Sequence, residues 1–550
     1  MTAAEALAEW STSDWSANRL SQRGQGVGDS RSRNGLDDRD AIVGNVNVKS
    51  VAAVIEAKAH AAQCTIAFVT EQVVNELRSI CGDAAVLREP VQLMTYECDA
   101  LPHLRETPAV VVLPSSAAEV QRVVQLCSSS GVPFVARGHG TGLSGGALPV
   151  PGGVVISLAR LNRVLDVDIP NRRVTVEPGV TNLEITRQVA PFGYYYAPDP
   201  SSQQVCSIGG NVAENSGGAH CLKYGFTVHH VLEVEAVMPD GELVRIGSSL
   251  PDAPGPDLLG LLIGSEGTLA VVTKVVVRIL RKPEMVQTLL AAYNSTSDAG
   301  AAVSEIIAAG IVPAAVEMMD ALAIRAAEAA VHPNFPPADT VLIVELDGPV
   351  AEVRELFATV EGICRRTGST VVEVAQNDEQ RMRIWRGRKA AFAAMGRVSP
   401  NYYVQDGVVP RTKLPEVLGR IRALSQRSGL GIGNVFHAGD GNLHPLICYD
   451  ERIAGQAALA EEVAGEILTY CVEAGGSITG EHGVGADKKE YMPRMFSADD
   501  LDAMQQVRDA VDPQRLCNPG KVLPTPRLCG EVPGPYREHP VEQAGLAERF

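Results

Sequence analysis

The residues best suited to chemistry in this chain lie in Phe436-His437-Ala438-Gly439-Asp440-Gly441-Asn442-Leu443-His444-Pro445 and, further on, in Gly480-Glu481-His482-Gly483. Two imidazoles, a carboxylate and a third imidazole are the ingredients of a catalytic metal site with its own base. Residues 431–436 and 446–449 read as short strands. Gly439-Asp440-Gly441-Asn442 between them reads as a turn, because Gly and Asn tolerate positive φ. His437 and His444 are symmetric about that turn, so a regular hairpin makes them cross-strand partners with Cβ atoms about 5 Å apart. Imidazoles so placed can share an ion about 2.0–2.1 Å from each nitrogen. The bland reading of such a pair is two loop or core histidines.

A second chemical signal is Arg137-Gly138-His139-Gly140-Thr141-Gly142-Leu143-Ser144-Gly145-Gly146, with five glycines in ten residues. Without side chains the backbone N–H groups stay uncovered and can hold a phosphate in an amide nest. The loop is neither a P-loop nor a dinucleotide fingerprint, since no Gly-Lys-Ser/Thr follows and the acidic residue of the latter is not in place. Pro198-Asp199-Pro200-Ser201-Ser202, the run from Cys206 to Gly218, and Gly264-Ser265-Glu266-Gly267-Thr268-Leu269 are further small-residue loops. They fall between strands such as 174–176, 233–237 and 270–272. Several loops that let a ligand touch main chain imply a long, extended cofactor.

The elements that must position the first loop are legible. Residues 109–113 form a short buried strand. Ser116 with Glu119 forms a capping box, Val120, Val123, Val124 and Cys127 recur at helical spacing, and Gly131 falls where a helix C′ glycine belongs. Residues 133–136 are the next strand, which delivers the chain into the glycine loop.

Composition sets outer limits. A length of 550 residues implies two or more domains, and 45% hydrophobic with 21% charged residues describes an ordinary globular chain. The formal charge of −17 argues against nucleic acid and anionic membrane as partners. Eleven cysteines without a C-x-x-C pair suggest reduced thiols in a cytoplasmic setting and no iron–sulfur cluster in this chain. No apolar run is long enough for a membrane span. Residues 1–50 read as a disordered extension, with Glu5, Glu9, Asp14, Asp29, Asp37 and Asp38 speaking against a transit peptide. Helical patterns start near residue 50 and recur around 71–77.

Taken in order, the Arg137-to-Gly146 loop, the Ser207-to-Gly218 run, Gly264-Ser265-Glu266-Gly267, Asp406-Gly407, the His437-to-Pro445 stretch, Glu481-His482-Gly483 and Asn518-Pro519-Gly520-Lys521 carry a specific resemblance. The chain resembles the FAD-linked oxidases of the vanillyl-alcohol oxidase (PCMH) type over about residues 65–525. Within them it is similar to the branch of bacterial glycolate oxidase D subunits, with relatives among D-lactate and D-2-hydroxyglutarate dehydrogenases. The resemblance implies an α+β fold. After the extension and an N-terminal helical segment over 51–107 come a two-part FAD domain over 108–283 and an α/β substrate domain over 284–525. The latter has an antiparallel sheet and a C-terminal helical segment that returns to the flavin domain, and 526–550 is a tail.

The same resemblance assigns roles. FAD contacts are expected at Arg137, Gly138, His139, Gly140, Thr141, Gly142, Ser144 and Gly145, at Pro198, at Ser207, Gly209, Gly210, Asn211, Asn215 and Gly217, and at Gly264, Glu266 and Gly267. Relatives with covalent FAD use a histidine four residues after the arginine. That position is Thr141 here, so the FAD is expected to be non-covalent and His139 to offer a backbone amide. His437, His444 and Glu481 would hold a divalent metal (zinc, manganese or iron), and His482 would be the base. Adjacent residues of an extended strand point to opposite faces, so this pair needs the bend that Gly480 and Gly483 allow. Arg388 would bind the substrate carboxylate through its planar fork; the bland reading is a solvated helix face, to which Arg386 is assigned.

A 2-hydroxy acid would then lose its hydroxyl proton to His482 and its Cα hydride to the flavin. Relatives acting on 2-hydroxyglutarate hold the distal carboxylate with Thr, Lys and Asn, where this chain has Phe392, Val404 and Leu446. Burying a second carboxylate there is costly, so glycolate or D-lactate is expected. A D-lactate dehydrogenase would keep every residue named; a 2-hydroxyglutarate enzyme is disfavoured. A flavin subunit without activity is disfavoured too, because all four metal and base residues are retained. The resemblance also implies companion flavin and iron–sulfur subunits, with membrane contact at its inner face only through them.

Overall fold

The computed structural model describes residues 69–248 and 255–524. The expected 1–50 extension, the first helical pattern near residue 50 and the 526–550 tail lie outside the described residues. The second helical pattern is the helix Glu71–Cys81, capped by the Thr70 hydroxyl.

The first sheet runs Val86–Leu87, Val110–Val112, Val154–Ser157, Phe134–Arg137, parallel except at its first edge. The helix Ala117–Ser130 covers it, burying Val120, Val123, Val124 and Cys127 against Val110, Phe134 and Ile156. Its start departs from expectation in one detail. The Ser116 hydroxyl accepts the Glu119 N–H at 3.2 Å, but the Glu119 carboxylate takes the Ser115 N–H at 2.6 Å. The reciprocal half of the capping box has moved by one residue. Gly131 closes the helix at φ +65°, the left-handed geometry expected of it.

The second sheet runs Val164–Asp168, Arg173–Val176, Val271–Arg278, Val231–Val237, Leu243–Gly247, antiparallel throughout. One expected loop beside it is a helix instead. Residues Ile208–Glu214 are α-helical, with the Ser207 hydroxyl accepting the Gly210 N–H at 3.3 Å. The cap and the burial of Ile208, Asn211 and Val212 outweigh the poor propensity of Gly209 and Gly210.

The third sheet has seven antiparallel strands in the order Val371–Val374, Met285–Tyr293, Thr340–Gly348, Ala315–Asp320, Ile432–His437, Pro445–Tyr449, Asn401–Val404. Both of its faces are buried. Leu289, Ala291, Leu342 and Val344 point toward helices Thr296–Ala308 and Val350–Arg366. Leu290, Ala292, Val341 and Ile343 point toward helices Ala321–Val331 and Asp378–Ala394. That two-sided burial explains why its central strands are continuous apolar runs rather than alternating ones.

After the helix Ala498–Val511 the chain returns to the first sheet. Leu516 O accepts the Phe134 N–H at 2.9 Å, and the Asn518 N–H donates to Phe134 O at 2.8 Å. The architecture is α+β, and its end is stitched to the strand that leads into the glycine loop.

Candidate active site

The strands Ile432–His437 and Pro445–Tyr449 form the expected hairpin, with Gly441 at φ +82° in its turn. Its register differs from a symmetric one. His437 pairs with Asn442 and Asn434 with Pro445, because the His437 N–H donates to Asn442 O at 3.1 Å and the Gly441 N–H to His437 O at 3.1 Å. His437 and His444 are therefore diagonal neighbours, not directly opposed partners. A slip of two positions keeps both on one face, and their ring centroids lie 5.1 Å apart.

Glu481 and His482 reach the same place because the chain curls around Asp406. A single oxygen, Asp406 Oδ2, accepts the Thr479 hydroxyl at 3.0 Å and the backbone N–H groups of Gly480, Glu481 and His482 at 3.0, 2.8 and 2.7 Å. Its other oxygen pairs with the Lys488 ammonium, and both side chains are fully buried. Burial by itself would raise the Asp406 pKa; Lys488, His482 and the N–H donors hold it at about 2. A buried carboxylate that meets this many donors stays ionised and fixes the loop.

The ligand-type atoms of His437, His444 and Glu481 all lie within 4.8 Å of one another. His437 Nε2 and His444 Nε2 each stand 3.2 Å from Glu481 Oε1. His482 stacks on His444 at 4.8 Å and 10°, with its Nε2 3.8 Å from the same oxygen. Both ring nitrogens of His444 are buried, and Nε2, although 3.2 Å from Glu481 Oε1, is poorly aligned for a hydrogen bond to it. Leaving an imidazole nitrogen buried and unpaired is costly. A divalent ion between two imidazoles and a carboxylate would satisfy it, so these side chains fit a metal. Burial would lower the His437 pKa, but Glu317 and Glu481 outweigh it and hold it well above the usual value. His482 goes the other way. Burial, aided by His444, pushes it down to about 4 against the pull of Asp406, so its ring is neutral at pH 7.

These groups open onto a cavity of about 690 Å³, a volume in the range of cofactor sites. Of the residues expected to contact cofactor, Arg137, Gly138, His139, Gly140, Thr141, Gly142, Ser207, Gly209, Gly210, Asn211, Gly217, Glu266 and Gly267 line it, and His444, Glu481 and His482 form its far wall. A Cβ on Gly138 would collide with the Ser207 hydroxyl, so the approach of the two loops needs glycine there. Ser144, Gly145, Pro198, Asn215 and Gly264 are not on the wall. Their contacts within the fold are these: Ser144 O accepts the N–H groups of Ala486 and Asp487 at 3.0 Å each, and Pro198 O accepts the Asn182 amide at 3.1 Å. Asn215 is the left-handed C-cap of its helix, Gly264 donates its N–H to Val212 O at 2.9 Å, and Gly145 stands against Leu104 and Ala486. The Arg137 guanidinium is likewise spent on Cys98 O at 2.8 Å. Glu266 bridges to the Glu481 loop, accepting the Val484 and Gly485 N–H groups at 2.7 Å each.

Residues 108–247 match the FAD binding domain family, and residues 282–522 match the C-terminal domain of FAD linked oxidases. The chain is 48% identical over 468 residues to glycolate oxidase subunit GlcD of Escherichia coli (strain K12), covering 85% of this chain and 94% of that protein. The chain belongs to the FAD-linked oxidase family. FAD is accordingly its cofactor. A D-lactate dehydrogenase of Anaerostipes hadrus is 29% identical, over 82% of this chain and 98% of its own. The fold is shared with p-cresol methylhydroxylase (TM-score 0.71, 16% identity, 82% of this chain and 97% of that one), which makes it the PCMH-type α+β fold.

Within this FAD-linked oxidase, Arg388, expected as a bidentate clamp on the substrate carboxylate, has part of its fork committed to another side chain. It is buried, its Nε and Nη2 both 2.7 Å from Glu317 Oε2, and it does not line the cavity. The buried Glu317 carboxylate needs that compensation, which leaves Nη1 as the uncommitted edge of the fork. Its neighbour Lys389 lines the cavity, with Asn401, Tyr402 and Tyr449. Phe392 and Val404 are on the wall as expected, whereas Leu446 packs behind them in the core. Sequence reasoning missed Asp406 and Glu317 as site residues. The available signal was the same for both: a lone acid in a segment otherwise apolar or Gly-flanked, Ala315-Val316-Glu317-Met318-Met319 and Val404-Gln405-Asp406-Gly407.

Proposed function

We propose that this chain oxidises a short 2-hydroxy acid, glycolate or D-lactate, to the 2-oxo acid, with FAD held non-covalently along the glycine-lined part of the cavity. The observation that carries the reading is that His444, Glu481 and His482 line the cavity together with those glycine loops, with His437 gathered behind them against His444 and Glu481. The relatives named as a glycolate oxidase subunit and a D-lactate dehydrogenase support the substrate class.

His437, His444 and Glu481 would hold a divalent ion, zinc, manganese or iron, which when bound supplies Lewis acidity toward the substrate hydroxyl. When bound, FAD supplies the acceptor for the Cα hydride. His482 Nε2, neutral at pH 7, takes the hydroxyl proton. The resulting imidazolium is stabilised by Asp406, whose Oδ2 is 3.9 Å from His482 Nδ1. Lys389, on the cavity wall, supplies positive charge for the substrate carboxylate, with Arg388 behind it on Glu317. Phe392 and Val404 keep the distal wall apolar, which admits hydrogen or methyl on the reacting carbon and leaves a second carboxylate without a partner.

The relative named as a glycolate oxidase subunit supports a multi-subunit assembly, in which electrons would pass to companion flavin and iron–sulfur subunits. No helix among the described residues is long and apolar enough to cross a membrane, so inner-face membrane contact would run through those partners. The test is anaerobic mixing of the purified FAD-loaded protein with glycolate, D-lactate and 2-hydroxyglutarate. Bleaching of the flavin by the first two and not the third is expected; bleaching by none, or by 2-hydroxyglutarate alone, overturns the reading.

A further inference from the structure

We propose that Glu317 is a positioning residue that sets the ligating tautomer of His437 and ties it to Arg388. The inference rests on the metal reading above and adds a residue that reading does not use. Glu317 lies mid-strand in Ala315–Asp320, fully buried, and the sheet register makes it the direct cross-strand partner of His437. Directly paired residues share a face with their Cβ atoms in contact range, so the backbone itself delivers the carboxylate to the imidazole.

The hydrogen bonds then determine which nitrogen does what. Glu317 Oε1 is 2.7 Å from His437 Nδ1, and Oε2 is 2.7 Å from both Nε and Nη2 of Arg388. An ionised carboxylate only accepts, so Nδ1 carries the ring hydrogen. Nε2 faces Glu481 at 3.2 Å and, with Nδ1–H held by Glu317, is the nitrogen that would release its hydrogen to a cation and offer a lone pair. The arrangement reaches the second histidine as well. The Arg388 guanidinium sits 5.7 Å from the centroid of the Phe392 ring, and that ring meets the His444 ring at 5.6 Å. One carboxylate therefore braces His437 directly and His444 through Arg388 and Phe392.

A glutamine cannot do the same work. Arg388 is always a donor, so the Gln carbonyl must face it and the Gln amide must face His437 Nδ1. Nδ1 then has to accept, the ring hydrogen moves to Nε2, and the lone pair needed for the ion is lost. Removing Arg388 as well frees the Gln carbonyl to turn back to Nδ1 and restores the ligating tautomer.

The experiment strips the FAD-loaded protein with chelator and titrates it with Zn²⁺ alone, reading affinity by competition with a fluorescent indicator. The flavin spectrum serves as the check on folding. Glu317→Gln should weaken Zn²⁺ binding by about 10–100-fold, and the Glu317→Gln/Arg388→Met double variant should recover most of that loss. A purely structural role predicts a double variant worse than the single one. Unchanged affinity in Glu317→Gln, or no recovery in the double variant, overturns the proposal while leaving the metal reading intact. Failure of the unmodified protein to bind Zn²⁺ overturns both.

Discussion

Asp406 Oδ2 accepts the His482 backbone N–H at 2.7 Å and lies 3.9 Å from His482 Nδ1, so one buried oxygen both shapes the loop and faces the imidazole it carries. Because the same oxygen also takes the Glu481 N–H at 2.8 Å, the metal-ligand candidate and the base candidate share one anchor. Asp406→Asn should strand the Lys488 ammonium in a fully buried site. Breaking a buried pair from one side costs roughly 3–5 kcal/mol. Urea denaturation of the FAD-loaded variant should show a loss of that size, and stability equal to the unmodified protein would contradict the anchoring role.

His482→Gln removes the base without touching Asp406 Oδ1 or Lys488. Reduction of the flavin by glycolate should slow by about 10²–10⁴-fold, with FAD still bound and Zn²⁺ affinity close to normal. Stopped-flow absorbance of the flavin reads the rate. An unaltered rate removes His482 from the proton-transfer step.

Glu481→Gln takes the only carboxylate out of the three-donor cluster. Metal content measured after dialysis should fall to background, and substrate should no longer bleach the flavin although its spectrum persists. Chelation of the unmodified protein should produce the same phenotype, reversed by returning zinc, manganese or iron. Bleaching that ignores chelation would sink the Lewis-acid role.

Val404→Lys places an ammonium on the apolar part of the cavity wall. The ratio of flavin reduction by 2-hydroxyglutarate to that by glycolate should rise at least tenfold, equivalent to about 1.4 kcal/mol. An unchanged ratio means that this wall does not set substrate length.

His220 joins the flavin-binding part to the seven-stranded sheet, its Nδ1 2.8 Å from Asp199 and its Nε2 3.3 Å from Glu345. Burial would lower its pKa, but the two carboxylates raise it from 6.5 to about 10. The folded state thus keeps a proton that the unfolded state releases above its own pKa. The stabilisation is complete below about pH 6.5 and is lost as the pH rises through about 10. The urea midpoint of the unmodified protein should fall over that window, and fall less in His220→Gln. Parallel profiles would show that the clamp does not carry this pH dependence.

Much of the fold could be read in advance because its signals are local. The Ala117–Ser130 helix announced itself by Ser116, its apolar spacing and Gly131, and the histidine hairpin by Gly439-Asp440-Gly441-Asn442. Signals failed where a short-range rule was overridden. Ile208–Glu214 is a helix despite its glycines, since a cap and a buried face decide the matter. The hairpin closed two positions off symmetry because backbone hydrogen bonds, and not the spacing of the histidines, select the register.

The chain's own order of residues determined the chemistry it could hold: glycine loops open to a cofactor, two histidines flanking a turn, and a Glu-His pair between glycines. Tertiary structure alone decided how those groups are aimed. The Glu481-His482 loop bends around Asp406 from 75 residues away, as the Glu481 N–H bond records. His437 takes its orientation from Glu317, 120 residues distant, and the fork of Arg388 is spent on that same carboxylate. Buried charges must find partners wherever the fold brings them, and such pairings between distant segments leave no periodicity or spacing behind to be read.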